Sequence, residues 1–269
     1  MGEGTTRRTF LRLIAAAPLL NAAADPAFAA KLTLVGRLID EARPLPRVAQ
    51  RIDFISSKLL GIRYQAHTLI GGPKLPERFV VRDDAFDCVT FCEAVLAAAV
   101  ARDLAEFESA LRRIRYEHGN VQWHQRNHYF ADWTRRNIEN GICQPVAMDQ
   151  SVTYEKTVTW HRALGKRQVS IVGVPKAAFL ANENLLAAGD IIGFTSRRSD
   201  LDYFHTGLVA LGKDATLLLR HASQSRGRVI DEKMATFVTV NPVQYVTLLR
   251  AAEDEGAPRS ESASVAEHL

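Results

Sequence analysis

Several things are scarce in this 269-residue sequence, and each scarcity removes a class of protein. Past the N-terminal segment no apolar run approaches the roughly 20 residues that span a bilayer. The longest is the eight residues from Ala94 to Ala101, so no stable membrane insertion is expected of the mature chain. Cysteine is rare: Cys88, Cys92 and Cys143 are too few for a disulfide framework at this length, and at least one thiol is left unpaired. Basic excess is also missing, since 34 Lys and Arg against 30 Asp and Glu leave a formal charge of +4. With no stripe of Lys and Arg interleaved with aromatics, nucleic acid is not an expected partner. There is no internal repeat either.

What is present begins with a basic start, Thr5-Thr6-Arg7-Arg8-Thr9-Phe10-Leu11-Arg12, followed by an Ala/Leu-rich run to Ala27-Phe28-Ala29. Paired arginines, a weakly apolar run and an A-x-A cleavage pattern read as an export signal over residues 1–29, of the twin-arginine type. The expected location is the periplasm. Removing that segment takes away three arginines and two acids, so the formal +4 becomes +3.

The remaining chain divides by pattern. Apolar residues at helical spacing predict helices over 32–42 and 46–60, a helix pair over 88–102 and 104–118, and another helix from Phe130 to Asn140. Residues 62–76 read as loop, with a short strand over 79–81. After about residue 165 strands follow at 169–174, 190–195, 204–211, 216–221 and 245–249. Helices first and a mostly antiparallel sheet second describe an α+β domain over residues 30–250. Residues 251–269, with five acids against one arginine, read as a disordered acidic tail.

The chemistry gathers around Ala85-Phe86-Asp87-Cys88-Val89-Thr90-Phe91-Cys92. A free cysteine is usually a small buried apolar filler, and Cys92, with Phe91, Val95 and Ala99 continuing its face, fits that role. Cys88 is different: if Asp87 caps the helix, the Cys88 sulfur meets unpaired backbone N–H groups and the positive end of the helix dipole, which favour thiolate. A nucleophile needs a base and a group that orients the base. The strands carrying His205-Thr206-Gly207 and His221-Ala222-Ser223 supply two imidazoles. A connection centred on Lys213 would set His205 directly opposite His221 on one face; a two-residue loop at Lys213-Asp214 would set them on opposite faces.

The ordered set Phe86-Asp87-Cys88, His205-Thr206-Gly207 and His221-Ala222-Ser223 resembles the NlpC-type cell-wall cysteine peptidases, a papain-like superfamily. Leu60-Gly61-Ile62-Arg63-Tyr64, His128-Tyr129-Phe130-Ala131-Asp132-Trp133 and Gly189-Asp190-Ile191-Ile192 are similar to one branch, the N-acetylmuramoyl-L-alanine amidase-like family. The resemblance implies a papain-like α+β fold and no cofactor. Cys88 would be the nucleophile, His205 the base and then acid, His221 the residue orienting it, and Tyr64 a hydroxyl beside the oxyanion. It also implies peptidoglycan fragments as partners and cleavage of the amide between muramic acid and L-alanine. The alternative bond is the one between D-glutamate and a diamino acid. His128, Tyr129, Asp132 and Trp133 would form a cleft wall, with Asp202 and Tyr203 opposite, and Arg82 or Arg126 would meet a peptide carboxylate.

Two further readings compete with catalysis. Cys88 and Cys92 with His124 and His128 have spacings that could close a tetrahedral zinc site. A wall-binding protein without catalysis is the other.

Overall fold

Asp87 explains why the central helix begins where it does. Its Oδ1 accepts the Val89 N–H at 3.1 Å and the Thr90 N–H at 2.8 Å, while Thr90 Oγ1 accepts the Asp87 N–H at 2.9 Å. This reciprocal cap satisfies donors that the first helical turn would leave orphaned. The computed structural model describes residues 33–159 and 161–253. Its helices are α1 (Thr33–Ala42), α2 (Val48–Lys58), α3 (Cys88–Val100), α4 (Leu104–Arg115), α5 (Phe130–Glu139), α6 (Lys176–Ala181) and α7 (Met234–Val240). The strands are β1 (Arg63–Tyr64), β2 (Ile70–Gly72), β3 (Leu75–Arg78), β4 (Ala85–Phe86), β5 (Cys143–Pro145), β6 (Val152–Val158), β7 (Arg167–Pro175), β8 (Ile191–Thr195), β9 (Tyr203–Leu211), β10 (Leu217–Ser223), β11 (Arg228–Lys233) and β12 (Tyr245–Ala251).

From Phe91 to Ala99 every residue of α3 is buried, as befits a helix that is apolar on all sides. It packs against α1, α2 and α4 and lies across β9 and β10. The sheet runs β4-β1-β11-β10-β9-β8-β12-β7-β6, with β5 beside β12, and only the β1–β4 pair is parallel. The result is a mixed α+β fold on a curled, mostly antiparallel sheet. One core, including Phe91, Val95, Leu208 and Ala222, fills the α3 side. A second, including Phe194, Val209, Leu219 and Phe237, fills the opposite face under α6 and α7. Alternation along β9 therefore decides which residue meets which layer.

Several expectations change. Residues 62–76, read as loop, contain β1, β2 and the first half of β3, and the short strand expected over 79–81 lies earlier, at Leu75–Arg78. β5, β6 and β11 were not foreseen, because two of them are short or edge-like and Arg228-Val229-Ile230-Asp231-Glu232-Lys233 is too charged to read as an interior strand. The proposed tail begins later than residue 251: Ala251 closes β12, the Ala252 N–H donates to Ile142 O at 2.9 Å, and Glu253 Oε2 accepts the Val48 N–H at 2.8 Å. The export-signal reading over residues 1–29 and the rest of the tail lie outside the described residues. Among the described residues no helix is long and apolar enough to cross a membrane.

Candidate active site

Cys88 opens α3 and lines a cleft of about 600 Å³ together with Tyr64, His67, Arg126, His128 and His161. Its thiol is half-buried. Burial pushes it up to about 12, and the Asp87 charge adds to the rise, while the backbone N–H groups of Thr206, Val89 and Cys88 pull the other way without prevailing. The sequence pointed to a thiolate; the sulfur here is a thiol, because desolvation outweighs the helix-start amides. Tyr64 is also pushed up, first by burial and then by the Cys88 and Asp87 charges, so its hydroxyl keeps its proton and can donate.

The two histidines do converge, in a different register. Pairs Leu217↔Leu211 to Arg220↔Leu208 join β9 and β10, and the connection over residues 212–216 is closed by the Gly212 N–H donating to Thr216 O at 2.8 Å. The connection is odd, as catalysis required, but centred one residue beyond Lys213. Extended past Arg220, that register sets His221 beside Gly207 rather than His205. A Cβ at 207 would come within 2.9 Å of both His221 Cβ and Arg220 O, so only glycine admits this approach. The rings then meet diagonally, His205 Nε2 to His221 Nδ1 at 2.6 Å and nearly perpendicular at 88°. His221 Nε2 in turn lies 2.7 Å from Glu232 Oε1. Phe194 and Phe237 pack against His205. Burial, then the neighbouring His221 charge, drives His205 down to about 3; burial also lowers His221, with Glu232 opposing.

The sulfur and the imidazoles approach β9 from different sides. Thr206 Oγ1 lies 3.9 Å from Cys92 Sγ on the α3 face, so His205 beside it points to the other face. The pairing of β9 with β10 ends at Leu208, and the Thr206 N–H beyond that end acts on the Cys88 sulfur. Among the described residues no hydrogen bond joins Cys88 to either imidazole, and His205 and His221 line a second cleft of about 530 Å³ with Phe204, Glu232 and Phe237. The single cleft expected for thiol and imidazoles is thus two, on either side of one splayed strand end.

Of the expected wall only His128 lines the Cys88 cleft, with Nε2 at 2.6 Å from Trp123 O and its ring against His161. The other five are interior scaffold. Tyr129 is buried and its hydroxyl accepts the His161 N–H at 3.2 Å; Trp133 stacks on Phe130; Asp132 pairs with Arg167 at 2.9 Å. Asp202 Oδ2 accepts the Ala131 N–H at 2.8 Å at the start of α5, and the Tyr203 hydroxyl meets Thr247 Oγ1 at 2.6 Å. Their aromatic and acidic character read as a surface wall, but it serves packing and helix capping. Arg82 is paired with Asp84 at 2.9 Å; Arg126, paired with Glu77 at 3.0 Å, does reach the cleft. The zinc set does not converge, since Cys92 faces Thr206 and His128 faces Trp123 O. Among the described residues no group of three or more His, Cys, Asp or Glu is placed to hold a metal.

Sequence reasoning missed Glu232, His67 and His161. Only Glu232 left a signal: it shares strand parity with Ile230, the partner of His221.

The histidines carry a stability consequence. His205 binds its proton near 3 when folded but near 6.5 as an ordinary imidazole, and His128 is likewise pushed down to about 4 by burial. The unfolded chain then holds more protons between those values, so stability is full above about pH 6.5 and falls as pH drops toward 3. Each group contributes a slope of at most about 1.4 kcal/mol per pH unit. Thermal melts from pH 8 to pH 4 should show His205→Gln with a flatter acid decline than wild type; equal slopes would refute the burial of a neutral His205.

The helix-start cysteine and the carboxylate-tethered histidine pair are thus carried by a mixed α+β protein with a curled, mostly antiparallel sheet. The chain belongs to the N-acetylmuramoyl-L-alanine amidase-like (AmiA-like) family, whose model matches residues 54–246. A solved N-acetylmuramoyl-L-alanine amidase from Bacteroides uniformis is similar at 26% identity and a TM-score of 0.65, over 81% of this chain and 98% of that one. Protein LPG0564 from Legionella pneumophila, of family DUF1460, shares the fold at 19% identity and a TM-score of 0.71, over 84% of this chain and 98% of that one. No curated protein matches the sequence.

Proposed function

We propose that the protein is a cysteine-dependent amide hydrolase of the papain-like, NlpC-type kind, exported to the periplasm, that cuts the bond between the muramic acid lactyl group and L-alanine in peptidoglycan fragments. The observation carrying this reading is the Cys88 sulfur, open to a cleft and touched by the Thr206 N–H, one residue from an imidazole that is itself tied to His221. Thiol and imidazole are both neutral at rest, so the reaction starts by proton transfer rather than from a standing ion pair. As Sγ attacks the lactyl carbonyl, His205 takes the thiol proton, a transfer that requires the splayed end of β9 to move when substrate binds, because at rest sulfur and imidazole open to two different clefts. The Cys88 N–H and the Tyr64 hydroxyl, which share the cleft, would donate to the charge growing on oxygen, where one such donor is worth about 3 kcal/mol. The protonated His205 then hands its proton to the departing alanine amine, and water attacks the thioester to free the acid.

Digestion of a disaccharide-tetrapeptide muropeptide under reducing conditions, read by mass spectrometry, tests this directly. Free disaccharide plus intact peptide supports the proposal. A shortened peptide still on the sugar would make the protein a stem-peptide endopeptidase, and no product would leave it a binder.

A further inference from the structure

Glu232 has no part in a cysteine, histidine and histidine triad, yet it lies at the end of a continuous chain of short contacts. His205 Nε2 is 2.6 Å from His221 Nδ1, and His221 Nε2 is 2.7 Å from Glu232 Oε1. We propose that Glu232 is a positioning residue that fixes the tautomers of both histidines and so leaves His205 Nδ1 without a hydrogen, free to receive a proton. The inference rests on the hydrolase reading above for its catalytic meaning, but its structural content stands apart from it.

The order of atoms along this chain fixes where the hydrogens sit. A carboxylate accepts and cannot donate, so His221 Nε2 carries a hydrogen and donates it to Glu232. A neutral imidazole has one N–H, which makes His221 Nδ1 an acceptor. The contact at 2.6 Å then requires His205 Nε2–H to donate to it, and the remaining nitrogen, His205 Nδ1, has no hydrogen. Among the described residues that Nδ1 makes no hydrogen bond of its own. Reversing one link reverses all of them: with no acceptor at 232, His221 can place its hydrogen on Nδ1, His205 Nε2 becomes the acceptor, and His205 Nδ1 is blocked by its own hydrogen.

The surroundings leave Glu232 as the group that sets this order. His221 faces His205 from β9 and the Phe237 ring from α7. Its β10 neighbour Arg220 is turned away, paired with Asp231 at 2.8 Å and Asp53 at 3.1 Å. Arg226 lines the same cleft, and Asp231 acts on His221 only as a weaker, more distant charge. Side-chain exposure of 3% for His221 against 32% for Glu232 means the imidazole depends on this one partner while the carboxylate keeps access to solvent.

The test compares wild type with Glu232→Gln, whose amide oxygen can still accept, and Glu232→Leu, which cannot. Imidazole nitrogen shifts measured by NMR near pH 7.5 should show Nε2–H for both histidines in wild type and in Glu232→Gln, and Nδ1–H appearing in Glu232→Leu. Muropeptide turnover should fall by up to about 100-fold in kcat for Glu232→Leu with KM little changed, and recover most of that in Glu232→Gln. A wild-type His205 carrying Nδ1–H, or tautomers unchanged in folded Glu232→Leu, would overturn the proposal. Since the shifts need no turnover, correct tautomers in a protein that cuts no muropeptide would sink the hydrolase reading and leave the assignment of Glu232 standing.

Discussion

Under the proposed mechanism, replacing Cys88 with alanine should lower amide hydrolysis by at least about 10⁴-fold, because no other group among the described residues of the cleft could form an acyl intermediate and only the proposed oxyanion donors and binding would remain. Neighbouring side chains do not substitute: His128 is turned to Trp123 O, Tyr64 keeps its proton, and Cys92 is sealed in the core. Thermal stability should change little, since Cys88 is half-buried at the first helical position and the cap is made by Asp87 and Thr90. Cys92→Ala should show the converse, a loss of about 1 kcal/mol of stability with activity largely kept. Alkylation by iodoacetamide gives an independent reading of the same site. With the thiol pushed up to about 12, modification of Cys88 at pH 7 should be slow and should quicken steadily with pH. Fast, pH-independent alkylation would instead reveal a thiolate and imidazolium already paired, and a C88A variant that still turned over muropeptide would remove the nucleophile from the mechanism.

The sequence showed the helix start at Cys88 clearly because an Asp, a Thr three residues on and an all-apolar run form a local signal that needs no tertiary partner. The His205 and His221 strands are legible by their own apolar runs too, but the parity of their connection was open between one centred on Lys213 and a two-residue loop, and the fold centres it on Asp214. What was not legible depends on pairing at a distance. β11 is a charged sequence that becomes a strand because β10 and β1 accept it on either side, and only there does Glu232 arrive beside His221. The five misplaced wall residues fail for a related reason. Asp132, Asp202, Tyr129, Trp133 and Tyr203 have the polar and aromatic tips of a binding surface, yet each is buried with its tip satisfied or stacked inside the protein. Position in sequence gives Cys88 the amides of a helix start but not the depth of the site, and burial pushes the thiol up against them.

Depth also sets the largest stability effect expected in the fold. Glu93, in the middle of the apolar α3, pairs through Oε2 with Arg115 Nε at 2.7 Å, and their side chains are only 3% and 4% exposed. Arg115 Nη1 further donates to Val80 O at 2.6 Å, tying α4 to the segment between β3 and β4. Removing the guanidinium leaves a buried carboxylate with only the weaker influence of Arg126 opposing its charge, so Arg115→Ala should lose about 3–5 kcal/mol, which for a chain of this size lowers Tm by on the order of 10 °C. Burial already raises the Glu93 carboxyl above its ordinary 4.5, with Arg115 the main opposing influence. Without Arg115 that rise grows, the folded state binds a proton that the unfolded state gives up, and stability declines as pH climbs through and above 4.5. The penalty of Arg115→Ala should therefore be largest at pH 7 and shrink toward pH 4, opposite in sign to the acid decline set by His205. The double variant Glu93→Leu with Arg115→Met removes both charges at once, and because apolar pairs of similar volume often match or exceed buried ion pairs, it should recover most of the loss. Urea melts of wild type, Arg115→Ala and the double variant at pH 7 and pH 4 decide it: equal penalties at the two pH values, or a double variant no better than Arg115→Ala, would mean that the pair's charge is not what holds α3 and α4 together.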